Sequence, residues 1–151
     1  MTRLLLLIAT LGSAALMIGA LGFQYIGGLA PCPMCLWQRY PHVVAIVLGV
    51  LALSGGPRIL ALLGGLSALT TAGIALFHTG VERAWWEGPS TCTSGAIAEL
   101  SPEQLMDQIM NAPLVRCDEV AWEFLGLSMA SWNGIASLVL AGVWFAAWLR
   151  G

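Results

Sequence analysis

The chain has 151 residues, 58% of them hydrophobic and only 9% charged, with a mean hydropathy of +0.83 and a formal net charge of −2. A soluble domain carries about 25% charged residues, so the composition excludes a water-soluble globule and predicts a membrane protein. The charge is unevenly placed: there is no Lys, and all eight acidic residues, from Glu82 to Glu123, fall between positions 79 and 131.

In chain order, the first apolar stretch covers residues 4–23, close to the roughly 20 residues an α-helix needs to cross the hydrocarbon core. Arg3, this run and the small residues Gly28-Leu29-Ala30 also fit a cleaved signal peptide. Against that alternative, the run exceeds the usual h-region of about 7–15 residues, and cleavage would leave an odd number of spans. A short connection, 24–33, leads into Cys32-Pro33-Met34-Cys35-Leu36-Trp37-Gln38-Arg39. The segment from His42 to Ser54 alone is too short to cross, so the second span is predicted over 35–54. That start puts Arg39 in the first turns of a membrane helix. Pro41 follows, where it removes a backbone hydrogen bond and is expected to bend the helix.

The turn Ser54-Gly55-Gly56-Pro57-Arg58 precedes a third span at 59–78, and a fourth is predicted at 132–149 with Trp132 and Trp148 as interfacial anchors. Residues 79–131 between them form a loop of a length that is usually functional or disordered. Within it, Ser101-Pro102-Glu103-Gln104 reads as an N-cap, a proline at the first helical position and a capping-box glutamine. Leu105, Met106, Ile109 and Met110 then make one apolar face opposite Asp107 and Gln108. A short amphipathic helix is expected, lying on the membrane surface or against the rest of the loop. Trp85, Trp86 and Trp122 are read as markers of that surface.

Arg3, Arg58 and Arg150 have no acid beside them, and the positive-inside rule places their ends in the cytoplasm. Both termini are then cytoplasmic, and the 24–33 connection and the acidic loop face the other side, in a bacterium the oxidising periplasm. The expected fold class is an all-α membrane protein, a four-helix transmembrane bundle forming one domain over 1–151. No internal repeat is visible.

The chemistry lies in four cysteines. Cys32 and Cys35 form a Cys-x-x-Cys pair at the membrane boundary; Cys92 and Cys117 lie in the polar loop. Thiol exchange needs an accessible thiolate. If Pro33 opens the second helix, Cys35 sits in its first turn, where free N–H groups and the helix dipole favour a thiolate. Arg39, four residues on, shares that face one turn deeper. A permanent cation at that depth implies a functional partner by default: the thiolate, a lipid phosphate, or the carbonyl oxygen of a membrane-dissolved electron acceptor. His78 and Glu82 are likewise four apart at the outer end of the third span, where a His can hydrogen-bond or protonate an acceptor oxygen.

Each feature has a plainer reading. The Cys pairs could bind zinc together, although a separation of 25 positions is not the usual ligand spacing. Cys92 and Cys117 could form a static disulfide worth about 3 kcal/mol. Arg39 could snorkel to the headgroups, and His78 with Glu82 could simply anchor a helix. His42 lacks a companion in sequence and is read as structural.

Taken together, the order of motifs resembles the disulfide bond formation protein B (DsbB) family of membrane quinone reductases. The resemblance is carried by Cys32-x-x-Cys35-x-x-x-Arg39 at the start of span two and by His78-Thr79-Gly80-Val81-Glu82 leading through Trp86-x-Gly88-Pro89 to Cys92. Cys117-Asp118 and Trp122-x-Phe124-Leu125-Gly126-Leu127-Ser128-Met129 complete it. It implies a thiol:quinone oxidoreductase of the bacterial inner membrane that reoxidises a periplasmic, DsbA-like thioredoxin-fold oxidase and so supports disulfide formation in protein folding. Cys92 then resembles the cysteine that forms the mixed disulfide with that partner, and Cys117 its mate in the resting loop disulfide. Cys35 resembles the thiolate that reacts with quinone, Cys32 the thiol that exchanges with the loop, and Arg39 and His78 positions associated with quinone binding. Glu82 is carried with them as a candidate. The cofactor implied is ubiquinone or menaquinone; no nucleic acid and no metal is expected. Gln38 departs from members with an acidic residue before the Arg.

Three other readings fit less well. A vitamin K epoxide reductase-like enzyme would place the loop pair before the Cys-x-x-Cys, and here it follows. A transporter of reducing equivalents would need cytoplasmic thiols, and a scaffold with structural disulfides would resist mild reductants.

Overall fold

Helices α1 (Thr2–Tyr25), α2 (Pro33–Leu53), α3 (Ile59–Glu82) and α4 (Met129–Arg150) are each long and apolar enough to cross a membrane. They belong to a computed structural model that describes residues 1–89, 92, 101–103, 106, 110 and 115–151. α1 packs on α2 and α4, and α3 packs on the same two, so the four close into a bundle. The chain is thus an all-α membrane protein of four-helix architecture.

Lipid tails are as apolar as leucine, so the helices associate through close packing and interhelical hydrogen bonds rather than through burial of grease. The interior follows that rule. Ala9, Ala45, Ala61, Ala68, Ala141 and Ala147 surround the fully buried Trp144. Glycines make room for the large rings: a Cβ on Gly64 would stand 2.8 Å from Trp144, and one on Gly65 would stand 2.8 Å from Phe145. These two approaches set how α3 faces α4.

α2 starts two residues before the predicted position. Cys32 is its N-cap, with Sγ accepting from the Cys35 N–H at 3.1 Å, and Pro33 occupies the first turn, where a missing N–H costs nothing. The helix continues through Pro41. Nearby carbonyls find partners on α3: the Gln38 carbonyl accepts from Thr71 at 2.9 Å and the Pro41 carbonyl from Ser67 at 2.7 Å.

α3 runs to Glu82, a turn beyond the predicted span, and therefore carries both His78 and Glu82. Trp86 folds back onto its end, donating from Nε1 to the Phe77 carbonyl at 2.9 Å. Before α4, a small hairpin pairs β1 (Glu123–Phe124) with β2 (Leu127–Ser128). Leu125 and Gly126 both have positive φ, 54° and 74°, as a two-residue I′ turn requires. This hairpin was not foreseen; Leu125-Gly126 between paired residues is its only signal. Ser128 then caps α4, accepting from the Ser131 N–H at 3.1 Å.

The amphipathic helix expected over 101–110 depends on Gln104, Leu105, Asp107, Gln108 and Ile109, which lie outside the described residues. At the far end of the bundle from the cysteines, Arg58 donates to the Trp148 carbonyl and Thr2 to the Arg150 carbonyl.

Candidate functional site

The N-terminus of α2, the C-terminus of α3 and the loop meet at one end of the bundle. Cys32, Met34, Val81, Cys92 and Cys117 are buried there in a single cluster, with Cys35 and Val115 packed against it. Both cysteine pairs are therefore neighbours, although 57 to 85 residues separate their members in sequence. Cys92 and Cys117 are joined by a disulfide with Cα atoms 5.2 Å apart, and the Cys117 N–H donates to the Cys92 carbonyl at 2.9 Å. Cys32 and Cys35 are free thiols. Two adjacent thiols resist double ionisation: the Cys32 thiol is held above its ordinary range, chiefly by its hydrogen bond with Cys35 and then by burial. The N–H groups of Cys35 and Met34 work in the opposite sense.

His78 stands between the pairs. Its Nε2 is 3.6 Å from Cys32 Sγ, and the ring also engages the Cys117 backbone. One turn on, Glu82 Oε1 lies 3.8 Å from the same Nε2, while its other oxygen accepts from Ser128. Flanking Cys117, Arg116 and Asp118 form a two-point ion pair at 2.9 and 2.5 Å. The guanidinium holds the Asp118 carboxyl below the usual carboxylate range.

Cys35, Arg39, His78 and Glu82 line a cavity of about 490 Å³, as do Arg116 and Glu119 of the loop. Its apolar wall comes from Ala15, Leu16, Gly19 and Phe23 of α1 and Ala136 of α4. Arg39 donates to Gln24 Oε1 at 2.5 Å and to the Ala20 carbonyl at 3.4 Å. Neither partner was foreseen, and both are neutral. Also lining the cavity, Phe23, Trp122, Phe124 and Trp132 form a run of rings with centroids 5.0 to 6.4 Å apart, tying α1 to the loop and α4.

Three donor atoms, from Cys32, Cys35 and His78, lie within 4.8 Å of one another, a spacing a soft metal would accept. The surroundings of the histidine argue otherwise. A metal-bound imidazole donates its other N–H to an acceptor, whereas His78 Nδ1 faces the amide nitrogen of Gln38 at 2.8 Å.

A Cys-x-x-Cys thiol pair thus lies beside a second pair already joined, at one end of a four-helix bundle. The family description "Disulfide bond formation protein DsbB" matches residues 2–147. The chain belongs to the DsbB family. Disulfide bond formation protein B of Methylococcus capsulatus is 36% identical over 154 residues, which cover 97% of this chain and 93% of the relative. The Polaromonas naphthalenivorans protein of the same name is 33% identical, covering 91% and 86%. That of Hahella chejuensis is 30% identical, covering 98% and 94%. No solved structure matches. Membership of the DsbB family gives this multi-pass membrane protein a role in disulfide bond formation.

The sequence missed much of this DsbB site's support. His42, read as alone, has Nε2 3.0 Å from Asn133 Oδ1, 91 positions away. Gln38 joins His78 to Asn133. No local pattern signals pairs so distant.

Proposed function

We propose that the chain is a thiol:quinone oxidoreductase of the bacterial inner membrane that reoxidises a periplasmic thioredoxin-fold oxidase of the DsbA kind. The observation that carries this reading is the single buried cluster holding both cysteine pairs, one joined and one free, beside a largely apolar cavity that Arg39, His78 and Glu82 also line. Both termini face the cytoplasm, and residues 1–151 act as one membrane domain.

The partner's thiolate attacks Cys92, and the electron pair of the broken Cys92–Cys117 bond leaves on Cys117. With Cys32 and Cys35 joined in the accepting state, the Cys117 thiolate attacks Cys32, forming a Cys32–Cys117 bond and releasing Cys35 as the thiolate. The partner's second thiol then frees Cys92, whose attack on Cys117 restores the loop disulfide and leaves Cys32 and Cys35 as the dithiol seen in the structure. Closing that pair to a disulfide releases two electrons and two protons.

The cavity suits a flat ring with opposed carbonyl oxygens: apolar walls accept its faces and tail, and Arg39, His78 and Glu82 meet one edge. When bound, a quinone, ubiquinone or menaquinone, supplies a two-electron, two-proton acceptor. Both thiols line the cavity, and Cys35 is assigned as the one that reacts there because it is the less buried of the two. Arg39 offers guanidinium N–H groups where negative charge develops on a carbonyl oxygen. His78 and Glu82 are placed to hold protons at the same edge.

Cys92 has no exposed surface, so the loop must part for the partner to reach it. The test is covalent capture. The intact chain is mixed with a reduced thioredoxin-fold oxidase that retains only its nucleophilic cysteine, and the mixed disulfide is mapped by peptide mass. A complex through Cys92 is expected. Capture at Cys32 or Cys35, or none at all, contradicts the partner assignment.

A further inference from the structure

Three helices contribute to a buried polar chain that the relay above leaves unused. At its centre, Gln38 Nε2 lies 3.3 Å from the Met34 carbonyl and 2.8 Å from His78 Nδ1, while Oε1 accepts from Asn133 Nδ2 at 2.7 Å. Asn133 Nδ2 also lies 3.4 Å from Thr71 Oγ1. Gln38 is 5% exposed, His78 3% and Thr71 0%.

The partners leave one consistent placement of hydrogens. Thr71 gives its only hydrogen to the Gln38 carbonyl, so its oxygen has to accept from Asn133. Asn133 therefore presents its NH₂ group on that side, and Gln38 must meet it with Oε1. The Met34 carbonyl, acceptor only, asks for the same orientation. Turning either amide over would press oxygen against oxygen in a buried site, where an unmade hydrogen bond costs about 1–3 kcal/mol. With the NH₂ group of Gln38 directed at Nδ1, that nitrogen accepts, and the hydrogen of a neutral His78 ring resides on Nε2, which faces Cys32 Sγ at 3.6 Å and Glu82 Oε1 at 3.8 Å, while the ring also engages the Cys117 backbone.

We propose that Gln38 and Asn133 are positioning residues for thiol exchange: they hold His78 as the Nε2–H tautomer, so that the ring donates a hydrogen bond to Cys32 whenever its sulfur is the thiolate. The proposal rests on Cys32 being the exchange thiol. In the step that restores the loop disulfide, the Cys92 thiolate attacks Cys117 within a Cys32–Cys117 bond. The Cys92–Cys117 bond forms, the Cys32–Cys117 bond breaks, and the electron pair departs on Cys32; no outside oxidant enters. A leaving thiolate stabilised by a donor leaves faster. In reverse, the same sulfur is the nucleophile.

The other titratable groups facing this point are few. α2 supplies Cys35, Arg39 and His42, and α3 supplies Glu82, 3.8 Å from Nε2. The loop supplies Arg116 and Glu119 across the cavity and Asp118 paired to Arg116. Among the described residues, α1 and α4 present no charged side chain to the cavity.

The test isolates Cys32. In the full chain with Cys35→Ala and the Cys92–Cys117 disulfide intact, Cys32 is the only free thiol, and its iodoacetamide alkylation is followed against pH by intact mass. Gln38→Leu should raise the midpoint by about one pH unit, a roughly tenfold slower reaction below it. Asn133→Leu should shift it the same way by less. Gln38→Glu, nearly isosteric, should lower the midpoint, because a carboxylate accepts from Nδ1 and keeps the ring as an imidazolium, a stronger donor to the thiolate. With His78→Phe, Gln38→Glu should no longer lower it. Shifts of the same sign for Gln38→Leu and Gln38→Glu, no shift in either, or a lowering that survives loss of His78 would overturn the proposal. Single labelling and an intact loop disulfide certify the fold of each variant. Neither partner nor quinone is used, so failure here is distinct from failure of the relay, which the capture experiment reports.

Discussion

Cys35→Ser abolishes quinone reduction, lowering turnover at least about 10³-fold to the uncatalysed background, while capture of the partner through Cys92 stays intact. The split follows from where the two events occur. Partner exchange needs only the loop disulfide, which is already formed. The last electron step needs a thiol that both lines the cavity and closes a ring with its neighbour, and Cys35 is the member of the pair left part-exposed. A serine keeps the volume and the N-terminal amide that caps onto Cys32, so the fold is retained. It removes the nucleophile and any disulfide with Cys32. Stopped-flow absorbance of the quinone, in parallel with the capture assay, reads both halves. Residual turnover near wild type would remove Cys35 from the reaction.

Arg39→Ala lowers kcat/KM for quinone by about 10–100-fold, or roughly 1.4–3 kcal/mol, the range of a hydrogen bond from a charged donor. A cation inside a membrane helix is costly unless something uses it. Among the described residues no carboxylate pairs with Arg39; its contacts are the Gln24 side chain and the Ala20 carbonyl. Those neutral acceptors orient the guanidinium without cancelling its charge, leaving it to act on the cavity. Partner capture should be unchanged, because the hydrogen bonds of Arg39 go to Gln24 and Ala20 of α1 and none goes to the described loop residues. Steady-state kinetics with ubiquinone and menaquinone analogues checks this; an unchanged KM and kcat for both would make Arg39 a packing residue.

What was legible in the sequence was what is local or compositional. Four apolar runs give four helices, because crossing lipid demands about 20 such residues whatever the fold. Cys32 and Pro33 announce the start of α2 through capping chemistry, and His78 and Glu82 share a face because residues four apart on a helix always do. The hydrogen bonds that support the site were not legible. Gln38 with His78, His42 with Asn133 and Arg39 with Gln24 depend on the rotation of one helix against another. That rotation is set by contacts such as Gly64 and Gly65 against Trp144 and Phe145, and a linear pattern does not reveal which glycine meets which ring. The same holds for the meeting of the two cysteine pairs, which the motif order implied only through resemblance to the family.

The central claim, that four cysteines deliver electrons in series to one acceptor site, is tested most directly by stoichiometry. The purified chain is reduced fully, freed of reductant and mixed anaerobically with excess quinone, and quinone consumed is counted against thiols remaining. Four thiols hold four electrons, so two quinones per chain should be reduced and both disulfides should form, with no reduction in the Cys35→Ser variant. One quinone per chain, with Cys92 and Cys117 left as thiols, would mean that the loop pair does not feed the membrane pair, and the relay would be wrong.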